Sequence, residues 1–403
     1  MEEVEVPSHF LCPISLQLMR DPVTVSTGIT YDRESIETWL FSRKNTACPV
    51  TKQPLSATDH HHLTPNHNLR RLIQSWCVLN ASYGVERIPT PKPPVETAHV
   101  VKLINDARRY PNTQQKCLKR LKSIAASNER NRKHIGAAGA VVGFLAPIII
   151  KGDDWSNVTE ALFVLQQLEA SNSELKALIN QNDEFVNSLL HVLQRGHAES
   201  RAFAVTLLRN LYSVADPNQL TTAKLELFAE VVKVLRDQIS HPASKAALKL
   251  LIELNPWGRN RIKAVEAGAV TVLVELLLET WERRSCELIL NALDQLCGCA
   301  EGRAELLQHG GGLAIVSKKI LRVSNAASDR GVRILGSVAK YSANSRVLGE
   351  MMEVGVVTKL CLVLQVDCSL KTKERAKEIL RLHSRTWKKS PCIPAHLLYS
   401  YQS

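Results

Sequence analysis

LLRNLYSVADPNQL (207–220), LLIELNPWGRNRIKAV (250–265), ALDQLCGCAEGRAELL (292–307) and ILGSVAKYSANSRVLG (334–349) follow one pattern. An apolar-striped helix ends, the chain turns at polar residues or glycine, and a short helix begins. KRLKSIAASNERNRKHI (119–135) and VLQQLEASNSELKALI (164–179) stand upstream in the same phase. Aligned on Ala125, Leu168, Leu211, Leu254, Leu296, Ala339 and Leu382, the steps are 43, 43, 43, 42, 43 and 43 residues. A second apolar helix follows each stretch, among them AVVGFLAPII from Ala140, EFVNSLLHVL from Glu184, AVTVLVELLL from Ala269, LAIVSKKIL from Leu313 and VVTKLCLVL from Val356. A fixed period of this length marks stacked repeats, because one helical pair or triplet cannot bury its apolar face alone. A plain bundle has no reason to keep a constant step. The prediction is an all-α solenoid over 100–389, built of about six or seven units.

The first 80 residues are turn-rich, with short apolar segments. PVTVSTGITY (22–31) alternates β-branched residues around Ser26-Thr27-Gly28, which predicts a hairpin. Asp32 is placed to cap a helix carrying Ile36, Trp39 and Leu40 on one face. A second helix is expected over about Leu69 to Leu79. Four prolines in 89–94 then forbid helix and predict a stiff extended linker within 81–99. The remaining divisions are the N-terminal module over 7–80 and a C-terminal tail over 390–403.

Composition narrows the class. Of 403 residues, 45% are hydrophobic and 22% charged, which excludes a mainly disordered or collagen-like chain. The formal charge is +12, but residues 1–83 hold seven basic and eight acidic side chains, so the remainder carries +13. That excess suits either an acidic partner or a solvated basic exterior. Three glutamates in the first six residues are unlike a signal peptide. The apolar run Ala137–Ile150, broken by Pro147, is too short to span a bilayer. Ten cysteines with no CxxC read as reduced thiols. A soluble cytoplasmic protein, also able to act in the nucleus, is expected.

The chemistry sits in the N-terminal module. In order come Phe10-Leu-Cys-Pro-Ile-Ser15, Leu18-Met-Arg-Asp-Pro-Val23, Gly28-Ile-Thr-Tyr-Asp-Arg33, Trp39-Leu40, Cys48-Pro-Val-Thr51 and Leu63-Thr-Pro-Asn66. CPI and CPV look like halves of a zinc cross-brace. Two zinc ions need about eight thiolate or imidazole ligands, mostly in close pairs. Only Cys12, Cys48 and Cys77 are present, with His9, His60 to His62 and His67, and none are paired at ligand spacing. No metal and no cofactor are expected.

These motifs resemble a U-box, a RING-like fold held without zinc, over about 7–80. The order of U-box, proline linker and helical repeats resembles the plant U-box/armadillo ubiquitin ligases, of the subclass whose U-box leads the chain. A period near 43 fits armadillo or HEAT repeats; the Gly139-Ala140, Gly268-Ala269 and Gly355-Val356 turns favour armadillo. The fold class expected is therefore mostly α, a small α+β U-box followed by an armadillo solenoid.

The resemblance implies roles for particular residues. Ile14 and Leu16 match first-loop contacts to a ubiquitin-loaded conjugating enzyme, Trp39 a helix position facing the same groove, and Pro49 and Val50 the second loop. Lys52 matches a position that bridges conjugating enzyme and ubiquitin, where relatives often carry Arg; a Lys is a point donor and not a fork. Ile14 reads as groove because it stands in a loop, with ordinary core as its rival; Trp39 can serve both. Tyr31, Asp32 and Arg33 read as fold-holding, through a helix cap and an ion pair. Leu69, Ile73 and Trp76 read as core or as a contact of a U-box homodimer. Thr64-Pro65 and Thr90-Pro91 are proline-directed phosphorylation contexts, or simply turns. A RING-type ligase needs no nucleophile of its own and works by proximity. The armadillo groove would choose the protein substrate, and the linker would set the reach.

Rival functions leave different marks. A non-catalytic scaffold would not need Ile14, Trp39 and Pro49. A carrier of basic nuclear signals needs an acidic groove with phased tryptophans, whereas Trp155, Trp257, Trp281 and Trp387 keep no phase. A nucleic-acid binder needs clustered Lys/Arg with interleaved aromatics, and aromatics are only 5%.

Overall fold

The computed structural model describes residues 5–42, 45–55, 63–88, 95, 97–168, 170–180 and 184–388. Thr90, the histidines at 60–62, the prolines of 89–94 and the tail over 390–403 lie outside the described residues. The chain divides into two compact units, Met1–Leu145 with Gln167–Ala170, and Ala146–Gln166 with Ser171–Ser403. The division falls inside the repeats, not at the prolines.

In the first unit the predicted hairpin forms. β1 (Pro22–Thr24) pairs antiparallel with β2 (Thr30–Asp32), Val23 opposite Tyr31. Gly28 turns the chain at φ 80°, a conformation costly for any residue with a Cβ. Helix α1 (Arg33–Glu37) is one turn long and widens into a π-helical turn over Thr38–Ser42. It buries Ile36 and Leu40 and half-buries Trp39, the face expected. β3 (Thr64–Pro65) completes the sheet in the order β2-β1-β3. Helix α2 (His67–Leu79) starts at Asn66, whose side-chain oxygen accepts from Leu69 N–H (3.0 Å) while its amide reaches Thr30 Oγ1 (3.3 Å). That asparagine therefore caps the helix and ties it to the hairpin. The core gathers Met19, Val23, Tyr31, Ile36, Ile73 and Cys77. Leu69 and Trp76 pack against it, which favours the core reading of that helix face. Val85 and Ile88, inside the stretch read as linker, pack on the same core.

The same unit continues through α3 (Thr97–Arg109), α4 (Gln114–Ser127), α5 (Glu129–Ala137) and the start of α6 (Val142–Lys151). Helix α5 packs against the π-helical turn. Glu37, 7% exposed, lies 3.8 Å from Arg33 and 3.7 Å from Arg130 of α5. Burial raises its carboxyl pKa, and the two guanidiniums oppose that rise. The N-terminal module is thus fastened to the first helical repeat by packing and a buried charge pair.

The second unit contains the repeated ladder. Its helices are α7 (Trp155–Gln167), α8 (Asn172–Asn180), α9 (Glu184–Arg195), α10 (Ala198–Tyr212), α11 (Pro217–Thr221), α12 (Leu225–Asp237), α13 (His241–Leu254), α14 (Asn260–Glu266), α15 (Ala269–Glu279), α16 (Arg283–Leu296), α17 (Ala300–Gln308), α18 (Gly312–Lys319), α19 (Asn325–Tyr341), α20 (Ser345–Glu353), α21 (Val356–Gln365) and α22 (Leu370–Leu382). They recur as a short helix, a second helix and a long third helix. The long helices α10, α13, α16, α19 and α22 each pack on the next. Their apolar faces, including Leu208, Leu251, Leu293 and Leu335, are fully buried. Gly268 and Gly355 take φ of 79° and 73° just before the second helix of a repeat, and Gly139 takes 62°. This left-handed turn is why glycine recurs there. Among the described residues, no single helix is long and apolar enough to cross a membrane.

Candidate functional site

Two loops of the N-terminal module are one structure used twice. Cys12-Pro-Ile-Ser-Leu16 and Cys48-Pro-Val-Thr-Lys52 each close with the same pair of backbone bonds. Cys12 N–H donates to Gln17 C=O and Leu16 N–H to Cys12 C=O, both 2.8 Å. Cys48 N–H donates to Gln53 C=O (2.8 Å) and Lys52 N–H to Cys48 C=O (3.0 Å). Single bridges, Leu11↔Leu18 and Ala47↔Pro54, flank them. Leu16 and Lys52 take φ of 55° and 60°, left-handed positions that cost a residue with a Cβ about 1 kcal/mol. Both side chains are exposed at the loop ends.

The thiols do what a metal would do elsewhere: they collect the donors that shape each loop. Burial pushes the Cys48 pKa up, but hydrogen bonds from the Thr27, Thr51 and Tyr31 hydroxyls outweigh it, and the value falls to about 6. These donors therefore favour the thiolate form of Cys48. Cys12 is lowered in the same way: burial raises it, and donors from Ser15, Asp32 and Ile14 more than offset that. Burial and the Cys48 sulfur push Tyr31 up, so its hydroxyl keeps the proton that it donates. Among the described residues no group of three or more His, Cys, Asp or Glu side chains is arranged to hold a metal ion.

Adjacent residues of β2 hold the two loops. Tyr31 Oη lies 3.0 Å from Cys48 Sγ and accepts from Val50 N–H (3.3 Å), fixing the second loop. Asp32 N–H donates to Cys12 Sγ (3.3 Å), fixing the first. The third element joins through Trp39, whose indole N–H donates to Ala47 C=O (2.9 Å), just before Cys48. Lys52 Nζ lies 6.0 Å from the centroid of the Trp39 ring.

Asp32 differs from expectation. Its side chain makes no helix cap. Oδ1 instead accepts from Arg20 N–H (2.7 Å) and Asp21 N–H (2.9 Å), while Arg33 pairs with Asp21 (2.6 Å). The carboxylate braces the chain entering β1, which a reading based on the adjacent helix alone does not reveal.

Of the singled-out residues, Leu16 is 74% and Val50 50% exposed, Lys52 is exposed, and Ile14, Trp39 and Pro49 are half-buried. Trp39 and Ile14 both pack against the module core, so each serves the core as well as the surface. Thr64 is exposed on β3.

The comparisons with known proteins agree with this architecture. The U-box domain model matches residues 6–82, and the plant U-box protein ARM repeat region model matches 99–403. The chain belongs to the plant U-box/armadillo family of ubiquitin-protein ligases. It is 55% identical to E3 ubiquitin-protein ligase PUB23 of Arabidopsis thaliana, over 99% of this chain and 98% of that one. It is 50% identical to E3 ubiquitin-protein ligase PUB22 of the same plant, over 99% of each. A solved structure from work on a phosphorylation switch between cadherin and beta-catenin superposes with a TM-score of 0.61 at 14% identity, over 84% of this chain and 61% of that one. An engineered protein superposes with a TM-score of 0.53 at 20% identity, over 70% of this chain and 67% of that one. These two likenesses concern the fold. The U-box/armadillo chain is accordingly a RING-type E3 ubiquitin transferase.

Proposed function

We propose that the two U-box loops and Trp39 form the landing site of a ubiquitin-loaded conjugating enzyme. The observation that carries this reading is the pair of apolar side chains, Leu16 and Val50, left in water on loops that are otherwise tightly fastened. Ile14, Pro49 and the exposed edge of Trp39 complete a shallow apolar contact. Lys52, turned out by its left-handed backbone, supplies a positive charge beside it and serves as the bridge to ubiquitin. Transfer to a target lysine, on a substrate held by the helical repeats or on the ligase itself, is then a matter of proximity and orientation. Thr64, exposed and followed by proline, is open to a proline-directed kinase, and a phosphate there would add negative charge to the sheet edge. Likeness to the family supports a role in plant stress or defence signalling.

The test is direct binding of the full chain to an immobilised conjugating enzyme. Leu16→Ala and Val50→Asp should weaken binding at least about ten-fold, some 1.4 kcal/mol or more. Both positions are exposed, so neither should unfold the U-box. Unchanged binding in both variants would remove the site.

A further inference from the structure

On the long helices of the second unit, equivalent positions carry charges that are answered at one step and unanswered at another. Counting back from the aligned helix ends, Arg209, Ile252 and Asp294 occupy one row, and Lys245, Glu287 and Arg330 another. At the α16–α19 step, Asp294 takes both Arg330 (2.7 Å) and Arg333 (2.8 Å), so the positive charges are answered within the protein. At the α10–α13 step the position of Asp294 is held by Arg209. Lys245 holds the position of Arg330 there, so a cation meets a cation, and Lys249 lies one turn further along the same helix. Among the described residues none of these three makes an ion pair, and the Arg209 guanidinium bonds only the Asn210 side-chain oxygen (2.9 Å). Burial, and then repulsion from Arg209 and Lys245, lowers the Lys249 pKa. A like-charged cluster that the fold could have neutralised, as it does two repeats later, is a charge waiting for an external partner.

We propose that Arg209, Lys245 and Lys249 bind a carboxylate-rich segment of a protein partner. This rests on the reading that the helical repeats hold the substrate, and it names that substrate's chemistry. The patch is small: exposed Glu253 lies one turn beyond Lys249, and Glu287, already paired with Arg283 (3.1 Å), stands on the next long helix. A nucleic-acid backbone or a lipid surface would run from this patch into those carboxylates. A short acidic stretch fits between them, and its two or three carboxylates match the three cations.

The experiment uses the full chain and a fluorescent Asp/Glu-rich peptide, with its Asn/Gln counterpart as control, read by anisotropy at two salt concentrations. The acidic peptide should bind, the neutral one should not, and salt should weaken the complex. K245E/K249E should lose at least about ten-fold in affinity and gain affinity for a Lys-rich peptide, a gain that unfolding cannot produce. K371E/K377E, an equal charge change at exposed positions of α22, should leave affinity unchanged. Equal affinity in wild type and K245E/K249E, an equal loss in K371E/K377E, or binding to phosphatidylserine vesicles but not to the peptide each overturns the proposal. Self-ubiquitylation in the same preparations reads the U-box independently. Absent peptide binding with chains still formed overturns only this site; absent chains with peptide binding intact overturns only the ligase mechanism.

Discussion

Tyr31→Phe isolates the contact that shapes the second loop. The substitution removes one oxygen and leaves the buried ring in place, so it opens no cavity. What it loses is the bond to Cys48 Sγ (3.0 Å) and the acceptor for Val50 N–H (3.3 Å). A hydrogen bond to a charged group contributes about 1.5–3 kcal/mol, and Val50 N–H can turn to water instead. The net cost to the closed loop is therefore about 2 kcal/mol. At about 1.4 kcal/mol per decade this is a roughly 30-fold rise in the loop's open population. Amide hydrogen exchange on the intact chain reads that population. Amides over 46–52 should exchange roughly 30-fold faster. Amides over 11–17 should not change, because their loop hangs on Asp32 N–H and not on the phenol. The Cys48 thiol should also titrate above its present value of about 6. Equal acceleration in both loops, or none in the second, would show that β2 does not hold the loops separately.

Three further outcomes follow from the same contacts. Cys48 has a depressed pKa in the folded state, so its contribution to stability is present above the unfolded thiol value and is lost as pH falls through about 6; U-box exchange protection should fall on acidification between pH 8 and pH 5, and Cys48→Ala should flatten that dependence. Arg130→Ala leaves Glu37 buried beside Arg33 alone and should cost about 1–3 kcal/mol, whereas Glu37→Gln/Arg130→Gln should cost less than the single change, measured by exchange of α1 and α5 amides. Gly268→Ala meets only the Arg236 guanidinium, at an ordinary 3.9 Å, but must hold φ at 79°, so it should lower the melting temperature by the equivalent of about 1 kcal/mol.

The repeats were legible because stacking forces every unit to repeat one apolar pattern, and a left-handed turn forces glycine into the same phase. The hairpin was legible for local reasons: β-branched alternation and a glycine turn. The site residues were legible only by resemblance, since Leu16 and Lys52 look like ordinary loop residues until their backbone is seen. One signal lay in plain text: CPISLQ (12–17) and CPVTKQ (48–53) match in chemical terms at every position but the fifth, and comparing them would have suggested the paired loops. What was not legible spans the chain. Tyr31 and Asp32 meet the loops across 17 and 20 residues. Glu37 meets Arg130 across a stretch that reads as a spacer, so a side-chain pair joins the linker in tying the two parts of the first unit. No periodicity announces a single charge pair between modules, and no local rule predicts that Asp32 braces β1 rather than capping α1.

The most direct measurement is chain assembly by the full protein with ubiquitin, activating enzyme, ATP and a panel of conjugating enzymes, comparing wild type with Ile14→Ala and Pro49→Ala. The account predicts ubiquitin chains with at least one conjugating enzyme and their loss in both variants, while exchange protection of α2 stays intact. Chains formed equally well by both variants would contradict it, because the two-loop surface would then not be where the conjugating enzyme lands.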